Sequence, residues 1–195
     1  MFRRGWSERR CYENFSQQTG DGGDSVDAEP FYTWGSLLPM IADLEVIGTD
    51  PWDGTCFGCA GDDTRSAVGY VAGLAYSAEL GPGSTALSRD GTPLLRAGLR
   101  GRFRQLSVEP ARLSLELPPA AADFIVELAV TGAGADAGAG AVAGPGAVVT
   151  LDGTTAPESR LGPIRRDGDG LDWLPVRIPA SPRPRVLEIH PPSPA

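Results

Sequence analysis

Between Trp34 and Leu44 the apolar positions fall at Trp34, Leu37, Leu38, Ile41 and Leu44, with Asp43 and Glu45 off the stripe. Spacings of i, i+3, i+4 and i+7 gather side chains on one face of a helix, so this stretch predicts a helix with a buried face. Pro39 falls inside the pattern. It has no N–H to give and should kink the helix or confine its regular part to either side.

The period then changes. Tyr70, Ala72, Leu74, Tyr76, Ala78 and Leu80 alternate with mostly small residues, which predicts a strand. Asp90-Gly91 separates two short apolar runs, the sequence signal of a tight hairpin. Further alternating or β-branched runs cover 102–108, 112–117, 124–130, 147–151, 175–178 and 185–189, with Pro or Gly between most of them. Short strands at this spacing predict an antiparallel β-sandwich. The expectation is therefore an α+β chain, with a helix closing the segment 1–50 and a sandwich over 51–190. The Gly/Ala-rich stretch 131–146 has little to bury and is expected to be a flexible insertion. Residues 191–195, Pro-rich and short of donors, are expected to be a disordered tail.

Composition narrows the partners. A net charge of −8 and a pI near 4.6 repel a phosphate backbone, so no nucleic-acid partner is expected. No run approaches the roughly 20 apolar residues a membrane helix needs, so no membrane partner is expected. The charged start, Met1 to Arg10, leads into no apolar stretch and does not fit a secretory signal. All 17 basic residues other than His are arginine, which with the Ala/Gly/Pro bias suggests base composition rather than chemistry. Cys56 and Cys59 form a Cys-x-x-Cys, but a zinc site needs a second ligand pair and His190 is the lone histidine. Structural or incidental thiols, a cytoplasmic setting, and neither metal nor cofactor are the expectation. The turn Asp167-Gly-Asp-Gly-Leu-Asp172 has part of a calcium loop's spacing but lacks the distal glutamate, and a solvated turn is expected.

The segment richest in chemistry runs from Cys11 to Gly35. Glu13 sits between Tyr12 and Asn14-Phe15, a loop dense in Gly and Asp follows, and Phe31, Tyr32 and Trp34 close it. Sugar faces stack on aromatic rings, hydroxyls pair with carboxylates and amides, and a carboxylate can activate water. An acidic surface loop capping a helix would have the same composition.

Tyr12-Glu-Asn-Phe15, Thr19-Gly20 and Glu29-Pro-Phe-Tyr-Thr-Trp-Gly-Ser-Leu-Leu38 resemble the C-terminal signature of glycoside hydrolase family 63. That group includes mannosylglycerate hydrolases and processing glucosidases and is related to the trehalases. Pro51-Trp-Asp-Gly54 and Phe57-Gly58 resemble the exit from that family's barrel into a terminal β-sandwich. The resemblance implies C-terminal helices of an (α/α)6 barrel over 1–50. It also implies inverting hydrolysis of an α-glucosyl or α-mannosyl linkage, with a carbohydrate substrate. Glu13 would be the general base, and Tyr12, Asn14, Tyr32 and Trp34 would line or support the sugar site, Trp34 serving equally well as a core anchor. An inverting pair of carboxyls stands roughly 6.5–9.5 Å apart. The acid partner matches no segment here, so the chain is expected to be either a truncated gene product or one half of a split pair completed by an upstream polypeptide, and to be inactive in isolation. Phe15, Ser16 and Glu29 depart from the family's usual Tyr, Asn and Asp, which leaves the sugar open. The alternative is a non-catalytic sandwich that binds glycan or packs on a partner domain.

Overall fold

The computed structural model describes residues 46–50, 52–109, 112–130 and 147–190. These belong to one compact unit that begins at Glu45. Its first two strands, β1 (Ile47–Asp50) and β2 (Gly54–Phe57), form an antiparallel hairpin. Five more strands follow: β3 (Arg65–Val71), β4 (Leu74–Gly81), β5 (Ser84–Arg89), β6 (Thr92–Ala97) and β7 (Arg104–Glu109). After them come β8 (Arg112–Leu117), β9 (Phe124–Val130), β10 (Val148–Leu151) and β11 (Thr154–Thr155). A 3-10 turn, Glu158–Arg160, precedes β12 (Arg165–Arg166), β13 (Asp172–Ile178) and β14 (Arg185–His190).

A seven-stranded sheet in the order β12-β13-β9-β6-β5-β4-β3 and a five-stranded sheet in the order β11-β10-β14-β8-β7 carry the fold, every pairing antiparallel. Leu113, Leu115, Leu117, Leu187 and Ile189 of the smaller sheet share one core with Ala78, Leu80, Leu87, Leu95, Val126, Leu128 and Ile178 of the larger. Alternation along each strand supplies this apolar face and leaves the other for solvent. The architecture is sandwich-like.

The α+β expectation is overturned: the described residues are nearly all antiparallel sheet. Residues 47–50, assigned above to the helical region, pair with β2 as strand β1. The helical stripe ends at Leu44, and Val46-Ile-Gly-Thr49 is largely β-branched, which favours an extended backbone. The helix expected over Trp34–Leu44 lies outside the described residues, as do the insertion 131–146 and the tail 191–195.

A second correction concerns Tyr70–Leu80. The run is two strands, turning at Ala72 and Gly73 with φ of 50° and 82°. Positive φ at both central residues is the geometry of a two-residue hairpin turn. The turn shifts the phase of the alternation, so Tyr76 is buried while Tyr70 is 75% exposed on the opposite face. The Asp90-Gly91 hairpin forms as its sequence predicts, joining β5 to β6 with φ of 48° and 78°.

β1 and β2 lock onto this body through Phe57. Its ring stacks on Phe103 at 4.7 Å, and their backbones exchange hydrogen bonds of 3.0 and 2.8 Å. Gly58 follows at φ +79°, where a Cβ would collide with the Gly101 carbonyl oxygen. Glycine is required there by both conformation and space.

Candidate binding face on the seven-stranded sheet

The residues expected to form a sugar site, Glu13, Tyr12, Asn14, Tyr32 and Trp34, lie outside the described residues. Within the sandwich, the outer face of the larger sheet concentrates the polar chemistry. Cross-strand register sets Ser66, Glu79, Ala86, Arg96 and Glu127 in one row across β3, β4, β5, β6 and β9. Below part of this row lies an open groove of about 510 Å³, lined in part by Thr64, Arg65, Ser66, Glu79, Ala86 and Arg96. Its floor is built from small side chains, and its rim offers hydroxyls, one carboxylate and two guanidinium groups.

Beyond Arg96 the face closes. Trp173 on β13 stands opposite Ala129 and Arg165 on this outer side, yet is 2% exposed. The Arg96 guanidinium lies 4.0 Å from its ring centroid, a cation–π contact that covers the ring. The indole Nε1–H donates to Asp167 Oδ2 at 2.8 Å, and Arg96 Nη2 donates to the same oxygen at 3.1 Å. Asp167 Oδ1 accepts the backbone N–H groups of Asp169 and Leu171, both at 3.0 Å. These donors favour the ionised carboxylate, and the Trp173 bond, foremost among them, holds Asp167 below its ordinary value. The Asp-Gly-Asp-Gly segment is thus a turn organised by its first carboxylate. Both oxygens of that carboxylate are engaged by the protein.

Other acidic groups are engaged in the same way. Asp172 takes a two-pronged pairing from Arg166 at 2.9 and 3.0 Å. Asp123 accepts the Ala180 N–H at 2.9 Å and Arg177 Nε at 3.0 Å, tying the turn before β9 to the end of β13. On the outer face of the smaller sheet, Glu188 accepts from Thr150 at 3.3 Å, with His190 Nε2 3.7 Å away.

A comparison of the chain with protein-family models, curated proteins and solved structures finds no match. The family 63 likeness therefore rests on the motifs of residues 12–58 themselves.

The Cys-x-x-Cys residues have separate structural surroundings. Cys56 is buried in β2, and Cys59 is half-buried beside Arg100. Arg100, with its side chain 6% exposed, donates to the carbonyls of Cys59 at 2.8 Å, Asp63 at 2.7 Å and Gly81 at 3.2 Å. It latches the loop after β2 to the end of β4. Sequence reasoning missed Arg100, Arg96 and Trp173. The first two carry no local motif, and alternation with Leu174, Val176 and Ile178 would assign Trp173 to the solvent face.

Proposed function

We propose that residues 46–190 are a non-catalytic, glycan-binding β-sandwich module belonging to a sugar-cleaving enzyme. The groove beside Arg96 carries this reading. Neutral sugars need hydroxyl, carboxylate and guanidinium partners over a surface shallow enough to admit a chain of rings, and this groove offers those groups on a floor of small residues. Titrating the full chain with α-gluco- and α-manno-oligosaccharides by calorimetry is the direct test. Ala86→Leu, which fills the floor, and Glu79→Ala, which removes the rim carboxylate, are each expected to weaken binding about tenfold, the worth of one good contact. Absence of binding at millimolar sugar, or binding indifferent to both changes, would refute the module reading.

The resemblance over residues 12–38 supports a second assignment: Glu13 is the general base of an inverting hydrolysis, drawing the proton from the attacking water while an acid outside residues 1–195 protonates the leaving oxygen. A general base is worth roughly 10²–10⁴ in rate. Joined to, or mixed with, the sequence encoded immediately upstream, the chain should cleave an α-glucoside or α-mannoside, and Glu13→Gln should remove that rate. Cleavage unaffected by Glu13→Gln would reject this role and leave the sandwich assignment standing.

A further inference from the structure

Sheet edges expose backbone donors and acceptors to any passing strand, and folded proteins blunt them with shortness, charge, bulges or cover. The edges of the two sheets here are unequal. β11 and β12 are two residues long, and β12 is Arg165-Arg166. β7 carries a register shift between Arg104 and Ser107, with Gln105 at φ 50°, and the β1–β2 hairpin bonds to its end through Phe57–Phe103 and Gln105–Asp53. β3 is less guarded: β1 lies against its inner face at Gly69, but the strand is neither short nor bulged. Its seven residues pair with β4 in unbroken register, contain no proline, and carry one charge, Arg65 at the first position. Among the described residues no strand pairs with its other side. Two of its outer-face side chains, Val68 and Tyr70, are 56% and 75% exposed.

We infer that β3 is a self-pairing edge through which two copies of this chain associate, β3 against β3, antiparallel about a two-fold axis at Val68. The order of residues in β3 singles out a second copy as the occupant. The two-fold sets Val68 against Val68, Ser66 against Tyr70, Ala67 against Gly69 and Arg65 against Val71. No like charges face each other, the exposed apolar side chains cover one another on the outer face, and the small pair falls on the inner face. Such a contact is isologous and closes after two copies rather than growing into a filament. Each copy carries a net charge of −8, so the long-range field opposes association. Salt screens that field beyond about 8 Å at physiological strength, and the dimer therefore tightens as salt rises.

Sedimentation velocity on the full chain, from about 1 µM to about 1 mM, covers the affinities a small interface gives. The expected result is a monomer–dimer equilibrium that shifts toward dimer with added salt. Val68→Lys sets two ammonium groups face to face at the axis and should weaken the dimer about tenfold or more. Val68→Cys should form an intermolecular disulfide on mild oxidation, above the background of the unsubstituted chain, because directly opposed Cβ atoms lie about 4.5–5.5 Å apart. Ser66→Cys, which faces Tyr70, should not. Both sites are solvent-exposed, and circular dichroism confirms that each variant keeps its sheet. A monomer throughout the range, a dimer unmoved by Val68→Lys, or equal crosslinking at 66 and 68 overturns the inference.

Discussion

At the scale of single residues, this sandwich spends its carboxylates on holding turns. Asp123, Asp167 and Asp172 all lie below the ordinary value of 3.8, led respectively by the Ala180 N–H, the Trp173 indole and Arg166. A carboxyl depressed on folding stabilises the native state fully above its ordinary value and loses that contribution as the pH falls through the lower, native one. The unfolding temperature should accordingly stay level from neutral pH to about pH 5 and drop below about pH 4. Asp167→Asn keeps acceptor and shape but gives up the charge that Arg96 and the turn amides favour. It should unfold several degrees lower than the parent at pH 7, with the gap closing as acid protonates the parent's Asp167. Calorimetric scans of both proteins across pH 7 to pH 3, the range that spans ordinary carboxylate titration, decide the matter. A gap constant with pH would mean that packing around Trp173, not the ionised carboxylate, sets the cost.

At the scale of elements, strand identity was mostly legible and strand orientation less so. Asp90-Gly91 announces its turn because aspartate and glycine both tolerate positive φ. Ala72-Gly73 makes a turn with the same signs of φ, but an alanine in left-handed conformation carries no signal in a one-letter code. The consequence is larger than one turn. A two-residue loop reverses which parity faces the core, so Tyr70 and Tyr76, read as neighbours on one face, lie on opposite faces. That reversal puts an exposed tyrosine on β3, and it was invisible before the register was known. Trp173 is a similar case. Among Asp172-Trp-Leu-Pro-Val-Arg-Ile178 the apolar residues fall on both faces, because the outer one is roofed by Arg96, 77 positions earlier in the chain (173 − 96). Long-range cover of this kind leaves no local pattern.

At the scale of the whole molecule, the question is where the sandwich begins. Composition suggested residue 51, at the proline after the apolar stretch. The contacts put the start before β1. Val46 and Ile47 are 0% and 1% exposed within the core, the Val46 carbonyl accepts the Gly58 N–H at 2.7 Å, and the Ile47 carbonyl approaches Gly69 so closely that a Cβ there would stand 2.8 Å from it. β1 is also the strand partner of β2, and β2 supplies Phe57, the ring that anchors the hairpin to β7. A fragment starting at Glu45 retains this set; one starting at Trp52 loses it and opens a cavity where Ile47 sat. Removing one large buried aliphatic side chain costs about 2–5 kcal/mol, and here the β1 backbone ladder goes with it. Fragments 45–195 and 52–195 should therefore behave differently in urea, the longer unfolding in one cooperative transition and the shorter at a markedly lower midpoint or already unfolded. Equal midpoints would show that β1 is a passive extension and that the entry motif, Pro51-Trp-Asp-Gly54, is where the folded unit starts.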